Sequence, residues 1–196
     1  GTLNIEDSTV SSNIVIGTDS LHGSSISGAS AIDASSTELT MTNSTVDMHV
    51  TGGTVIETSG GTFTNSGFKN NITTRTSDFS NRCGVLINGT GVNIDGSTFD
   101  FNTAITLSNR SGTSNITKSA FSNTLGACVV LANDSGTGND LSTLNVSEST
   151  FSNNSYGVIH NDCATGSARS YVNVVNSTFK DNTNTKGEKN FYREST

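Results

Sequence analysis

Glycoside hydrolysis needs two carboxylates held about 5–9 Å apart, and Asp95 and Asp100 are near enough in sequence to be weighed for it. Metal binding or a catalytic triad would need histidines brought together, whereas His22, His49 and His160 fall in different parts of the chain. The three cysteines, Cys83, Cys128 and Cys163, are an odd number without metal-ligand spacing. Cys128 and Cys163 belong to adjacent units of the repeat described below, so either a disulfide between them or buried free thiols fits. Nine asparagines stand in Asn-x-Ser/Thr acceptor sites for N-linked sugar: Asn43, Asn71, Asn88, Asn109, Asn115, Asn133, Asn145, Asn153 and Asn176.

These residues are set by a repeat. The stretch Leu144-Asn145-Val146-Ser147-Glu148-Ser149-Thr150-Phe151-Ser152-Asn153-Asn154 recurs along the chain, with its last apolar residue at Val10, Ile26, Val46, Phe68, Phe99, Phe121, Phe151 and Phe179. Two residues before each of these anchors is a serine: Ser8, Ser24, Ser44, Ser66, Ser97, Ser119, Ser149 and Ser177. Five residues before it is an apolar residue, from Ile5 and Leu21 through Met41, Phe63, Ile94, Ile116 and Val146 to Val174. Alternation with period two, broken by a change of parity, describes two short strands joined by a bend. A third strand follows at Gly84-Val85-Leu86-Ile87, Ala104-Ile105-Thr106-Leu107, Cys128-Val129-Val130-Leu131, Gly157-Val158-Ile159 and Asn190-Phe191-Tyr192.

Both Phe68 and Phe79 qualify as the fourth anchor; Phe68 has the asparagine three residues on that other units share, which makes 72–82 an inserted loop. Anchors lie 16 to 31 residues apart, so insertions are confined to loops while the central block is constant. Units that cannot bury their apolar face alone complete the core by stacking. The expected fold is an all-β, single-stranded parallel β-helix of about eight coils with three short strands each, forming one domain over 1–196. Asparagines at +3, namely Asn71, Asn102, Asn154 and Asn182, interrupted by Thr124, are expected to stack as an amide ladder in a left-handed turn. Ser97, Ser119, Ser149 and Ser177, with Phe99, Phe121, Phe151 and Phe179, are expected to form parallel inward rows.

The units Phe68–Asn71, Phe99–Asn102, Phe151–Asn154 and Phe179–Asn182, each an FxxN followed by a small apolar strand, resemble the repeat of polymorphic outer-membrane autotransporter adhesins. The resemblance implies a right-handed parallel β-helix displayed outside the cell. The chain departs from that family in lacking its Gly-Gly-Ala-Ile partner motif.

Composition restricts function. A formal charge of −7 and a pI near 4.7 exclude a basic stripe for nucleic acid, and no apolar run reaches the 18 or more residues of a membrane span. With 31% hydrophobic residues, no Trp and no Pro, the core must be thin. Serine, threonine and asparagine number 31, 30 and 24, a mixture also found in disordered chains, and the phase-locked apolar and serine positions argue against that. The motifs of polygalacturonases are absent. Lys118 and Glu148 at equivalent positions suggest a cross-coil ion pair.

The reading is therefore a secreted or cell-surface structural protein, not an enzyme and without a cofactor. Its partners are further copies stacked head to tail, with N-linked glycans or host-surface carbohydrate as additional ones. Asn88, Asn109 and Asn133, continued by Asn161, follow third strands and should line one corner of the rod with acceptor sites. No end cap is visible, and both faces of the stack are expected to be open. An adhesin or receptor-binding passenger using loops 72–82, 133–140 and 161–170 is the alternative. A polysaccharide lyase or hydrolase acting through Asp95 and Asp100 is the minor one.

Overall fold

A computed structural model of the chain describes residues 1–15, 31–34, 36–51, 56–58, 60–73, 85–88, 91–102, 105–108, 112–124, 129–133, 141–155, 158–163, 169–183 and 191–194. The alternating Thr and aliphatic residues of segments such as Glu38–Thr42 suit a pleated strand with one face buried, because branched side chains pack well on that surface. Seven such segments pair in parallel into a first sheet. They are β1 (Thr2–Glu6), β5 (Glu38–Thr42), β9 (Gly61–Thr64), β13 (Asn93–Asp95), β16 (Gly112–Thr117), β19 (Leu141–Ser147) and β22 (Arg169–Val175).

A second parallel sheet, also of seven strands, follows the same succession with the segments immediately downstream. These are β2 (Thr9–Ser11), β6 (Thr45–Asp47), β10 (Gly67–Lys69), β14 (Thr98–Asp100), β17 (Ala120–Ser122), β20 (Thr150–Ser152) and β23 (Thr178–Lys180). A third face comprises β4 (Ile32–Ala34), β8 (Ile56–Thr58), β12 (Val85–Asn88), β15 (Ile105–Ser108), β18 (Val129–Asn133), β21 (Ile159–Cys163) and β24 (Phe191–Glu194), every pairing within it parallel. The short strands β3 (Ile14–Val15), β7 (Val50–Thr51) and β11 (Ile72–Thr73) form a corner sheet between the second and third faces. On the third face the pairing falls into sheets of two, two and three strands, β4-β8, β12-β15 and β18-β21-β24, and every strand that pairs does so with the equivalent strand one repeat away, the architecture of a parallel β-helix in which each repeat is one rung.

The parity change in the repeat has a defined backbone cause. Three residues before each anchor, Asp7, Asn43, Asn65, Gly96, Lys118, Glu148 and Asn176 all adopt left-handed backbone, with φ between 47° and 58°. One such residue reverses the inward and outward phase, so the serine at −2 and the anchor at 0 both point into the core. A second left-handed row, with φ from 51° to 59°, occupies +2: Ser12, Met48, Asn70, Phe101, Asn123, Asn153 and Asp181. The expectation that the asparagine at +3 itself takes the left-handed conformation is corrected: the residue before it does, which leaves the +3 side chain turned inward.

Register then follows the repeat residue by residue. Met41, Phe63, Ile94, Ile116 and Val146 align across the first sheet and are buried. Val46, Phe68, Phe99, Phe121 and Phe151 align across the second and are buried too. The choice of Phe68 as fourth anchor holds, since it faces Phe99 in register; Phe79 lies outside the described residues. Ring centroids from Phe68 through Phe99, Phe121 and Phe151 to Phe179 are 4.6–4.9 Å apart with interplanar angles of 4–11°. That distance is the separation of hydrogen-bonded strands, about 4.8 Å.

Two expectations are corrected here. A coil built on Leu21, Ser24 and Ile26 was expected between those of Val10 and Val46, giving eight. Instead β2 pairs directly with β6, with Val10 opposite Val46, so no strand intervenes, and 16–30 lies outside the described residues. The segment 72–82, expected as a loop, begins with β11, and 161–170 overlaps β21 and β22; the rest of both segments lies outside the described residues.

Two substitutions test this packing. Phe151→Ala should cost about 3–5 kcal/mol in denaturant unfolding by opening a cavity in the ring stack. Phe101, 54% exposed at φ 51°, is a bulky side chain in left-handed backbone, and Phe101→Asn should raise stability by about 0.5–1 kcal/mol.

Candidate functional site: hydrogen-bond ladders and end faces

Serine at −2 is buried from Ser44 to Ser149, and a buried hydroxyl must find partners. It finds two. Each serine Oγ donates to the carbonyl two residues earlier, at 2.6–3.1 Å, from Ser8 to Glu6 through Ser177 to Val175. Each also accepts the backbone N–H of the serine one rung before. The chain Ser8, Ser44, Ser66, Ser97, Ser119, Ser149, Ser177 is continuous at 3.1–3.3 Å.

The +3 position forms a second internal ladder. Asn71 Nδ2 donates to Asn102 Oδ1 at 2.9 Å, and Asn154 Nδ2 to Asn182 Oδ1 at 3.0 Å. The same amides reach back to the anchor carbonyl of the preceding rung: Asn71 to Val46, Asn102 to Phe68, Asn154 to Phe121 and Asn182 to Phe151, at 2.9–3.1 Å. Two members of this ladder were not recognised in the sequence. His49, fully buried, accepts Asn13 N–H on Nδ1 at 3.3 Å, while its Nε2 lies 3.0 Å from the Val10 carbonyl. A carbonyl only accepts, so the imidazole proton sits on Nε2. Thr124 is the expected interruption, and its Oγ1 is a buried side-chain oxygen with no hydrogen-bond partner.

A third ladder runs outside, on the first sheet. Asn115 Nδ2 donates to Asn93 Oδ1, Asn145 to Asn115 and Asn173 to Asn145, at 2.8–3.0 Å. The signal was an asparagine six residues before five of the anchors, Asn4, Asn93, Asn115, Asn145 and Asn173, visible once the anchors are aligned; the last four are the ones that bond.

These ladders engage several candidate glycan acceptors. Asn71, expected both as a sequon and as a ladder member, is fully buried in the ladder. Asn115 and Asn145 use their Nδ2, the atom a sugar would occupy, as ladder donors. Asn43, Asn153 and Asn176 are exposed on left-handed corners, Asn43 donating to Asp7 Oδ1 at 3.1 Å. Asn88 and Asn133 end β12 and β18, and Asn109 lies outside the described residues. The expected corner row is out of register: Asn88 pairs with Ser108, and Asn161 pairs with Leu131, two residues short of Asn133.

Asp95 lies on the first sheet and Asp100 on the second, where its Oδ1 accepts from Ser122 Oγ and Asn123 Nδ2, both at 2.7 Å. Lys118 and Glu148 occupy equivalent positions without an ion pair; the described residues hold one, Lys180 to Asp181 at 3.6 Å. His22, Cys83 and Cys128 lie outside the described residues. Cys163 ends β21, opposite Asn133. Among the described residues no three His, Cys, Asp or Glu come together as metal ligands, and no helix is long and apolar enough to cross a membrane.

Leu3 is 38% exposed, and Ile5, Val10, Val172, Val174 and Phe179 are half-buried against the core.

Searches of known protein families, curated proteins and solved structures found no match to this chain. The FxxN resemblance is therefore met at the level of architecture, a parallel β-solenoid.

Completing the internal ladder is a direct test of its contribution. Thr124→Asn should raise stability by about 1–2 kcal/mol, by giving the buried position the bonds its neighbours make. A thermal melt no higher than the parent's would contradict this.

Proposed function

We propose that this protein is an extracellular structural element, a β-helical subunit or segment that stacks end to end into a fibre and bears N-linked sugar on its corners. The observation that carries the reading is that the first and last rungs repeat the inner rungs position for position. Leu3, Ile5, Ser8, Val10 and Asn13 occupy the same places as Val172, Val174, Ser177, Phe179 and Asn182. A half-buried rung with this composition is complementary to its own kind, and association of this head-to-tail sort propagates without closing. Support also comes from the side chains that could do chemistry: Asp100, His49 and the inward asparagines are engaged in bonds within the scaffold.

For the sugars, the corners support three acceptors. Asn43, Asn153 and Asn176 are exposed and left-handed, a conformation asparagine tolerates better than most residues. An adhesin role, with loops contacting a partner, is the second reading, and it rests on the FxxN resemblance.

Electron microscopy of the purified chain at rising concentration tests the fibre: unbranched rods that lengthen are expected, and monodisperse short rods throughout would sink the proposal. Expression through a eukaryotic secretory route, followed by peptide mass mapping before and after deglycosylation, tests the sugars. Occupancy is expected at Asn43, Asn153 or Asn176 and none at Asn71 in the folded fraction. A bare protein would remove the glycan part of the reading.

A further inference from the structure

The outer asparagine ladder of the first sheet has hydrogen-bonding capacity that the fold does not use. A side-chain amide carries two N–H donors and an oxygen with two lone pairs. Asn115 gives one N–H to Asn93 and accepts one from Asn145, and Asn145 stands the same way between Asn115 and Asn173. Each of these two amides therefore keeps one donor and one acceptor outside the ladder, on a side chain whose orientation the ladder holds. The row advances by one strand separation per rung, about 4.8 Å. Thr113 and Thr143 flank it on one side, Thr117 and Ser147 on the other, all pointing outward with the amides. Across the rungs of Asn93, Asn115, Asn145 and Asn173, the positions two residues to either side of the amide hold one charged group, Asp95.

What such a face fits follows from its chemistry, its charge and its size. A group that both accepts and donates satisfies the two vacant valences of an amide at once, and a hydroxyl does so with a single oxygen. A nearly uncharged face does not select an ionic ligand, and a chain of net charge −7 repels polyanions. The four rungs span about 14 Å along the stack and the flanked row about 13 Å across it. Roughly 200 Å² is far below the about 800 Å² that each partner buries in a standard protein interface. A second copy of the chain, or another folded protein, is too large to be held by it. A linear polymer of hydroxylated units is not, and Tyr171, 49% exposed and in register with Thr143, adds an aromatic plane against which the C–H face of a sugar ring can lie. We propose that the asparagine row is a binding face for a neutral polysaccharide, whose chain runs along the stack and sets a hydroxyl on each successive amide. The amides are oriented before the ligand arrives, so little side-chain freedom is lost on binding. Each contact replaces one to water, so affinity grows with the number of rungs engaged and long chains bind better than single sugars.

Native gel electrophoresis through soluble polymer tests the face, with the chain expressed in bacteria so that no sugar occupies Asn115 or Asn145. The neutral probes are hydroxyethylcellulose and mannan, and polygalacturonate is the acidic one. A neutral polymer should slow the parent chain, with or without added salt, and polygalacturonate should not. The double variant Asn115→Leu/Asn145→Leu removes two amides without charging the face, and should raise the dissociation constant for the polymer at least roughly tenfold. Tyr171→Ala, outside the ladder, should raise it several-fold. Thr150→Val, on the second sheet, should leave it unchanged. Circular dichroism confirms that each variant folds, and if the double variant does not, Tyr171→Ala carries the comparison. Parent chain unslowed by both neutral polymers, slowed by polygalacturonate alone, or slowed no more than the folded variants would overturn the proposal. Binding is read on dispersed chain, so these results leave the fibre reading intact, and a chain that never forms fibres leaves the binding face intact.

Discussion

The separation of hydrogen-bonded strands, about 4.8 Å, governs this molecule more than any single residue does. Across the two seven-stranded sheets, each described strand and the left-handed corner between them has its counterpart one such step along the axis. A group that cannot be satisfied inside its own rung has one place to turn. Even the corners obey this: the left-handed residues Asn43, Asn65 and Lys118 donate their N–H groups to Thr64, Asp95 and Ser147 of the following rung, at 2.9–3.1 Å. What would be unsatisfied turn amides in an isolated bend become part of the ladder.

The same step explains a core of unusual content. Serine and asparagine among phenylalanine rings would be costly if unpaired, yet here the buried ones bond to a neighbouring rung, and the polar rows run in the same register as the apolar ones. Aromatic pairs free to choose prefer offset or edge-on contacts; Phe63 and Phe68 do meet edge-on, at 69°. Between rungs the strands leave no such choice, and the rings lie nearly parallel. Deviations are informative for that reason. His49 substitutes for asparagine because its ring also has an acceptor and a donor, whereas Thr124 reaches neither neighbour with its hydroxyl.

Among the described residues, Asp100, His49 and the inward asparagines are engaged within the scaffold. The exposed corners carry mostly short polar residues, with Met48, Phe101, Lys118 and Glu148 as exceptions, and the first sheet carries an asparagine row whose members bond one another. The abundance of Asn-x-Ser/Thr follows partly from the fold itself. Left-handed backbone at −3 favours asparagine, the ladder demands serine at −2, and a strand favours threonine at −1, so Asn43-Ser44-Thr45 and Asn176-Ser177-Thr178 arise from structural demands alone.

Much of this was legible beforehand because a solenoid writes its geometry locally. The period, the inward identity of Phe99, Phe121 and Phe151, the serine row and the asparagine ladder with its gap at Thr124 all follow from aligning one unit with the next. What the alignment could not supply was anything set by the path between rungs. It placed a coil at Ile26 because Ser24 and Ile26 match the pattern, yet pairing is decided by which edge each strand meets, and β2 meets β6. It set Asn88, Asn109, Asn133 and Asn161 in one row because each follows an apolar run, while backbone register between strands displaced Asn161 by two residues from Asn133. It missed His49 and the polarity of the ladders, since donor and acceptor direction belongs to atoms in space. Residue type at each phase was thus determined by the sequence alone. Which rung adjoins which, and which way each hydrogen bond points, required the folded chain, because both depend on contacts between residues tens of positions apart.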